Sequence, residues 1–199
     1  MSKVTCDMAM SLDGFVAGLG QSLDQPFGEG VGDRLHQWMF DEPEAHAAVI
    51  EGITAAGAFI MGRNMFGPGR GDWDLGWNGW WGAEPPYHAP VFVLTHHSRE
   101  PVTMQGDTTF SFVTDGIGPA LERAREAAGD GDVAIAGGAH TVNQYLAAGL
   151  IDELRLHVAP VILGRGERLF DGVGDITLEP LGDAWGTALV THLRYRPVR

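Results

Sequence analysis

Several features that would assign this sequence to a class of protein are missing from it. Its 199 residues contain one cysteine, Cys6, so no disulfide can form within the chain, and we expect a reducing, cytoplasmic compartment. No apolar run approaches the ~20 residues that a membrane helix needs. The N-terminus also lacks the basic-then-apolar pattern of a signal peptide. We therefore expect no membrane partner.

Positive charge is scarce as well. The chain has 13 lysine and arginine residues against 26 acidic ones, which gives a formal net charge of −13. Because no basic stripe offsets this charge, we expect no nucleic-acid partner. An anionic ligand would have to be bound by a local group of arginine, histidine and backbone N–H groups, against the field of the whole protein. Lys3 is the only lysine, so arginine would supply most of the positive charge.

Sequence motifs of several enzyme classes are also absent. There is no Walker lysine motif, HExxH pair, CxxC pair or G-x-S-x-G elbow. Five histidines, which are His36, His46, His88, His140 and His157, show no metal-ligand spacing. We therefore expect no bound metal, and we place His36 and His46 on helix surfaces.

What the sequence does contain is an alternation of short strands and helices over one domain, residues 1–199. The patterns predict strands over residues 3–10, 58–61, 91–95, 108–114, 132–135, 153–163, 176–181 and 187–195, and helices over 34–40, 43–56, 118–128 and 139–148. This alternation is typical of an α/β protein with a largely parallel sheet, and the C-terminal run of strands predicts an antiparallel edge. Residues 67–90 are rich in glycine, proline and tryptophan and follow no period.

Three predicted strand ends carry residues suited to anions. They are the segments 62–65 (Gly-Arg-Asn-Met), 95–99 (Thr-His-His-Ser-Arg) and 136–141 (Ala-Gly-Gly-Ala-His-Thr). In open α/β sheets, ligands bind beyond the carboxyl ends of the strands. Three anion sites on neighbouring turns suggest a dinucleotide with an extra phosphate, and so NADPH rather than NADH. Each site also has a structural interpretation: Arg63 could pair with a carboxylate, and His96 and His97 could be solvated turn residues.

Four longer segments of the sequence resemble those of a known family. They are MSLDGFVAG (10–18), MGRNMF (61–66), VFVLTHHSRE (91–100) and AGGAHTVNQYLAAGLIDELRLHVAPVILGRGERLF (136–170). With them the chain resembles the dihydrofolate reductase-like superfamily, in particular the riboflavin-biosynthesis reductase (RibD C-terminal domain) family and its free-standing bacterial members. The resemblance implies a three-layer α/β/α fold around a mixed, mostly parallel sheet of about eight strands, bound NADPH, a small-molecule substrate and a homodimer.

The resemblance also assigns cofactor-binding residues. It places Gly62, Arg63, Asn64 and Met65 at the cofactor phosphates, and Thr95, His96 and His97 near the adenosine 2′-phosphate. It places Gly137, Gly138, Ala139, His140 and Thr141 under the pyrophosphate and nicotinamide. Ala136 departs from the family, which usually has glycine there, and in dihydrofolate reductases the peptide after that position is cis.

The substrate side is less defined. Met10, Ser11, Asp13 and Trp81 are the predicted substrate-binding residues, although Asp13-Gly14 is also an ordinary turn. No catalytic residue is evident, and Asp13 and Asp33 are the candidates. Asp33 lies roughly where dihydrofolate reductases have a substrate-binding carboxylate, but we favour it as a plain helix N-cap. The four tryptophans of segment 67–90 are equally consistent with a wall for a flat heterocycle and with a packed surface loop or dimer contact.

These features predict an NADPH-dependent reductase. The resemblance implies reduction of 5-amino-6-(5-phosphoribosylamino)uracil in riboflavin biosynthesis. Arg165 and Arg168, at a predicted strand break, could be phosphate contacts or equally well surface charges. The sequence carries no zinc-deaminase signature, although the pathway enzyme is often fused to a deaminase. A dihydrofolate reductase-type pterin reductase and a non-catalytic nucleotide-binding protein are the alternatives.

Overall fold

One mixed β-sheet forms the centre of the protein in the computed structural model, which describes residues 2–198. The strands are β1 (Val4–Ser11), β2 (Phe15–Ala17), β3 (Ala58–Gly62), β4 (Pro90–Leu94), β5 (Val102–Thr103), β6 (Thr109–Val113), β7 (Val133–Gly137), β8 (Glu153–Ala159), β9 (Glu167–Arg168), β10 (Thr177–Pro180), β11 (Trp185–Gly186) and β12 (Thr191–Val198). The helices are α1 (Gln37–Asp41), α2 (Ala47–Ile53), α3 (Arg63–Phe66), α4 (Ile117–Ala128) and α5 (Ala139–Ala147).

The strand order in the central sheet is β10-β12-β8-β1-β7-β3-β4-β6-β5, with β11 paired to β12, and β2 and β9 form a separate two-stranded sheet. The six strands from β8 to β6 run parallel, whereas β5, β10, β11 and β12 pair antiparallel. Eight strands of four or more residues make up most of this sheet, and two-residue strands extend it. The predicted mixed sheet with an antiparallel C-terminal edge is therefore confirmed.

Helices α4 and α5 cover one face of the sheet. On β1, Val4, Cys6 and Met8 alternate toward this face and join a buried apolar cluster with both helices. Tyr145 of α5 is fully buried, and its hydroxyl donates to the Ile117 carbonyl of α4 at 2.9 Å. Burial of apolar side chains of this size stabilises a fold by roughly 1.5–3 kcal/mol each, so this layer fixes α5 against the sheet.

The opposite face is covered in two places. Over β3, β4 and β6, the buried residues Phe59, Met61 and Phe110 pack with Phe66 of α3 and with tryptophans of segment 67–90. Over β8 and β12, the indole of Trp38 on α1 lies 5.3 Å from the His157 ring and 5.0 Å from the His192 ring. The layers are therefore α/β/α, with a long loop standing in for part of one helical layer.

The first helix differs from its prediction. It begins at Gln37, three residues later than expected, and its N-cap is His36 with no side-chain capping bond. Asp33 lies in the preceding turns, where Gly32 has a φ of +51° that interrupts a helix. The interpretation of Asp33 as an N-cap is therefore wrong.

Two further boundaries move for local reasons. Helix α2 is shorter than predicted, because residues 43–46 form turn hydrogen bonds such as His46 N–H to the Pro43 carbonyl at 3.3 Å. Strand β8 ends at Ala159 because Pro160 has no N–H to continue the ladder. None of the helices formed by residues 2–198 is both long enough and apolar enough to cross a membrane.

Candidate active site

A cavity of about 840 Å³ opens where the neighbouring parallel strands β7, β3 and β4 end. This volume lies within the usual range of small-molecule sites. All twelve predicted cofactor-binding residues line this one cavity: Gly62, Arg63, Asn64, Met65, Thr95, His96, His97, Gly137, Gly138, Ala139, His140 and Thr141. The sheet order explains the convergence, since adjacent parallel strands deliver their C-terminal turns to the same edge.

The turns after β3 and β7 touch each other directly. A Cβ atom placed on Gly62 would clash with Thr141 Oγ1 at the start of α5. A Cβ on Gly138 would meet nothing within 4 Å, so this residue leaves open space in front of the helix. The chain therefore uses Gly62 for close packing and Gly138 for access to the cavity.

The cis peptide in this turn is one residue later than expected. It joins Gly137 to Gly138, whereas the resemblance placed it between Ala136 and Gly137. Gly137 has a φ of +129°, which favours glycine, so the glycine pair itself forms this turn. Ala136 precedes it as a residue of β7, and the departure at Ala136 leaves the turn intact.

Two arginines give the cavity positive charge. The Arg63 guanidinium carbon lies 3.9 Å from the centroid of the Trp73 ring, and Nη2 donates to the Asp72 carbonyl at 3.2 Å. Its Nε is buried and has no hydrogen-bond partner among residues 2–198. Burial, together with the nearby Arg70, lowers the pKa of Arg63. Arg70 also lines the cavity, although its loop position gave no sequence signal.

The turn after β4 presents Thr95, His96 and His97 but not Arg99. Thr95 Oγ1 accepts from the His97 N–H at 3.1 Å, which closes the turn. Arg99 points away and donates to the Trp77 carbonyl at 2.7 Å and to Asn78 Oδ1 at 3.0 Å. The Arg99 guanidinium therefore binds segment 67–90 instead of lining the cavity, where the arginines are Arg63 and Arg70.

The family model for the RibD C-terminal domain matches residues 2–182. The chain belongs to this family. Its relatives include YyaP of Bacillus subtilis strain 168, an uncharacterized protein that is 24% identical over 178 residues, covering 84% of this chain and 80% of YyaP.

Solved structures share the fold of this RibD C-terminal domain. A candidate riboflavin biosynthesis protein from Shewanella sp. PV-4 superposes with a TM-score of 0.66 at 22% identity, over 99% of each chain. The riboflavin biosynthesis reductase Rib7 of Saccharomyces cerevisiae gives a TM-score of 0.55 at 14% identity, over 100% of this chain and 89% of Rib7. At these identities the comparison establishes the fold.

In this RibD C-terminal domain, the tryptophans of segment 67–90 divide between two roles. Trp73 and Trp77 are packed: their indole N–H groups donate to the carbonyls of His97 at 2.8 Å and Phe66 at 2.9 Å. Trp80 and Trp81 line the cavity, and Trp81 stacks on Phe110 at 5.8 Å. Packing is therefore observed for Trp73 and Trp77, and a wall for a flat heterocycle stays a prediction for Trp80 and Trp81.

The first strand, the loop after β2 and strand β9 supply cavity residues that the sequence analysis missed. Asp7, with a side chain only 10% exposed, lines the cavity together with Phe27, His36 and Glu167. The Phe27 and His36 rings lie 4.6 Å apart, and burial lowers the pKa of His36 to about 4. Asp7 could have been predicted as a site residue, because it is a charged residue in the middle of a largely apolar strand.

The other residues proposed for the substrate side lie outside the cavity lining. Met10 packs in the apolar cluster beneath α5, and Ser11 is fully buried, with its hydroxyl donating to Asp13 Oδ1 at 2.6 Å. Asp13 accepts from the backbone N–H groups of Leu163 and Gly164, so it links two loops. Only Trp81 of the four substrate candidates lines the cavity, and the binding roles themselves stay predictions.

The remaining candidates also lie away from the cavity. Arg165 pairs with Glu29 at 3.8 Å, and the Arg168 guanidinium lies 5.3 Å from the Phe15 ring centroid. Asp33 is exposed and does not line the cavity. In the part of the chain that the structure describes, no group of histidine, cysteine and acidic residues is arranged to hold a metal ion.

Proposed function

We propose that this protein is an NADPH-dependent reductase that transfers a hydride to a small heterocyclic or ribosylamino-pyrimidine substrate, as 5-amino-6-(5-phosphoribosylamino)uracil reductase does. The observation that carries the proposal is the single cavity shared by the three turns after β3, β4 and β7. The family and the fold of Rib7, a riboflavin biosynthesis reductase, support the same reaction class.

The residues of the cavity fit a phosphorylated dinucleotide. Against a net charge of −13, the lining collects Arg63, Arg70, His96, His97 and His140. The start of α5 offers free backbone N–H groups beyond the open space at Gly138, an arrangement that suits a pyrophosphate. Thr95, His96 and His97 would hold the 2′-phosphate that distinguishes NADPH from NADH.

When bound, the nicotinamide ring supplies the hydride. The chain's own residues would hold the substrate and exclude water. Trp80, Trp81 and Phe27 offer apolar and aromatic walls for a flat ring, and Asp7 offers a carboxylate to the polar edge of a heterocycle. Largely apolar walls strengthen such polar contacts, because they lower the local dielectric.

Nucleotide binding is the first test. We expect calorimetry to show NADPH binding at least about tenfold more tightly than NADH, since charge-assisted hydrogen bonds to a phosphate contribute roughly 1.5–3 kcal/mol each. Arg63→Met and Arg70→Met should each weaken NADPH binding by a similar factor. Arg125→Met, on the exposed side of α4, is the matched control and should bind as the wild type does. Equal affinity for the two nucleotides would contradict the proposed 2′-phosphate contact.

Turnover is the second test. NADPH oxidation at 340 nm should proceed with 5-amino-6-(5-phosphoribosylamino)uracil, with dihydrofolate as the comparison substrate. Turnover of dihydrofolate alone would make the protein a pterin reductase. Tight NADPH binding without oxidation by either substrate would favour a nucleotide-binding protein without catalysis.

We also propose that the protein is a homodimer in solution, as the family resemblance implies. Sedimentation equilibrium at micromolar concentration should give twice the chain mass of 21.3 kDa. A mass equal to one chain would contradict the dimer and leave the reductase proposal standing.

A further inference from the structure

Three buried histidines from distant parts of the chain stand in contact. His157 Nδ1 lies 2.8 Å from His192 Nδ1, and His192 Nε2 lies 2.9 Å from His46 Nδ1. The three residues are 4%, 3% and 0% exposed. The Trp38 indole packs against all three rings at 5.0–5.3 Å, so their orientations are fixed by packing as well as by hydrogen bonds.

A carboxylate stands at each end of these rings. His157 Nε2 lies 3.3 Å from Asp7 Oδ1, and Asp7 lines the cavity. His46 Nε2 lies 3.3 Å from Glu42 Oε2, and the Glu42 side chain is 33% exposed. We call Asp7, His157, His192, His46 and Glu42 the histidine row. It connects the cavity wall to the outer surface, where the Thr187 hydroxyl donates to Glu42 at 2.5 Å.

Counting protons shows what the row requires. It has four contacts: Asp7–His157, His157–His192, His192–His46 and His46–Glu42. Each contact needs one proton between its two atoms, whereas three neutral imidazoles carry one N–H each. Two ionised carboxylates carry none. Four contacts need four protons, and the three neutral rings supply three. The row must therefore hold one additional proton, because two acceptor atoms would otherwise face each other in one contact.

The surrounding groups favour the Glu42 end of the row for the extra positive charge. Arg155 Nη1 lies 3.3 Å from Asp7 Oδ2, and Glu153 in turn accepts from Arg155 Nε at 2.9 Å. His36 lies close enough to His157 for their charges to repel. Burial first, and then the neighbouring His157 and His46, lower the pKa of His192 to about 4, so the central ring is the least favourable place for a charge.

We propose that the histidine row holds one shared proton and supplies it to the cavity through Asp7 in the cavity wall. Its use in turnover rests on the proposed reductase activity. As hydride from a reduced nicotinamide nucleotide adds to the electrophilic carbon, the π electrons of the C=N or C=O bond move to the heteroatom, which takes a proton from Asp7. This proton is the one held between Asp7 and His157 Nε2, and water that enters the cavity after product release replaces it at Asp7. One solvent proton is consumed per hydride.

The net charge of variants tests the shared proton without any nucleotide. In Glu42→Gln, the amide N–H can supply the fourth proton, so the variant loses a carboxylate and the extra proton together. We expect its electrophoretic mobility at about pH 7.5 to match that of the wild type. Glu51→Gln, an exposed change on α2, should shift the mobility by about one positive charge. A shift in Glu42→Gln equal to that of Glu51→Gln would overturn the proposal.

Two further variants give results that a merely structural role would not produce. Asp7→Asn should also leave the charge unchanged, whereas Asp7→Asn combined with Glu42→Gln should add about one positive charge. His192→Phe divides the row into two pairs, each of which needs no extra proton, so the variant should become about one charge more negative. His88→Phe, an exposed ring outside the row, should leave the mobility nearly unchanged. Simple additivity of the two amide changes would contradict the shared proton.

Supply of the proton during turnover is tested separately. In an active enzyme, His192→Phe should lower turnover about tenfold or more at pH 7.5 and enlarge the solvent deuterium effect, with NADPH affinity unchanged. Unchanged turnover would remove the delivery role. Failure of NADPH binding with the expected mobilities would overturn the reductase proposal and leave the stored proton in place.

Discussion

Asp13 connects two loops through its carboxylate. It accepts hydrogen bonds from Ser11 Oγ at 2.6 Å, Leu163 N–H at 3.1 Å and Gly164 N–H at 2.7 Å. These bonds, Ser11 foremost, lower the pKa of Asp13 to about 2 although burial opposes them. The residue therefore supports the turn after β1 and lies outside the cavity lining.

We expect Asp13→Asn to lower the melting temperature at pH 7, since a neutral amide replaces an ionised acceptor. The folded pKa of about 2 lies below the ordinary 3.8, so the ionised carboxylate stabilises the fold above about pH 4. This stabilisation is lost as the pH falls towards 2, and the two melting temperatures should converge. Calorimetry at several pH values measures this, with the exposed Asp33→Asn as control. An unchanged melting temperature at pH 7 would show that the hydrogen bonds to the Asp13 carboxylate do not stabilise the fold.

Gly62 allows the turns after β3 and β7 to meet, because any Cβ there would collide with Thr141 Oγ1. We expect Gly62→Ala to destabilise the fold by roughly 1–3 kcal/mol, as overpacking commonly does. Removal of the colliding atom in Gly62→Ala with Thr141→Ala should restore part of the loss. Urea unfolding of the two single variants and the double variant measures this coupling. Strict additivity would mean that the two residues do not clash.

Among the elements, the strand ends at the cavity were predictable and the start of α1 was not. The turns at 62–65, 95–97 and 137–141 follow apolar runs whose ends are marked by glycine or polar residues, and all three reach the cavity. The start of α1 could not be predicted, because tertiary packing of Trp38 rather than a cap residue sets it.

The histidine row was also beyond sequence reasoning. His46 was expected on a helix surface and is instead fully buried, because β8 and β12 bring His157 and His192 beneath it. Those contacts join residues separated by 146 and 35 positions, so no local spacing reveals them.

The loop 67–90 has no regular structure and depends on Arg99. This side chain donates to the carbonyls of Trp77 and Leu75 and to Asn78 Oδ1, and its guanidinium lies 5.5 Å from the Trp73 ring centroid. One cation thus satisfies several polar groups of a segment that lacks a hydrogen-bonded ladder.

We expect Arg99→Met to loosen this loop, because hydrogen bonds from a charged donor contribute roughly 1.5–3 kcal/mol. Hydrogen exchange of amides in residues 73–82 should accelerate, while exchange in β7 and α5 stays unchanged. Arg125→Met is the control with a similar change of side chain. Equal exchange in the loop of both variants would mean that apolar packing alone holds it.

Over the whole molecule, five of the 13 lysine and arginine residues lie at two places. One is the cavity, with Arg63 and Arg70. The other is Glu153, which is 2% exposed and accepts from Arg155 at 2.9 Å, Arg194 at 2.9 Å and Lys3 at 3.2 Å. Burial alone would raise the pKa of Glu153, but these donors outweigh it and lower the pKa to about 2.

The lowered pKa values of two histidines and two carboxylates predict that acid destabilises the protein in two steps. Burial lowers the pKa values of His36 and His192 from 6.5 to about 4, so between these values the unfolded chain binds protons that the folded chain does not. Stability present above pH 6.5 should therefore fall as the pH drops towards 4, by up to ~1.4 kcal/mol per pH unit for each histidine. Glu153 and Asp13 contribute only at lower pH, where their carboxylates become protonated.

Urea unfolding at pH 7.5, 6 and 5 measures the first step. His36→Phe should reduce the slope, because it removes one titrating ring and keeps the aromatic contact with Phe27 at 4.6 Å. The same change removes the buried Nδ1, which has no partner among residues 2–198, so the variant should be at least as stable as the wild type at pH 5. A free energy of unfolding that stays constant from pH 7.5 to 5 would show that neither ring is kept neutral by burial, because an ordinary histidine pKa in the folded state gives no proton uptake on unfolding.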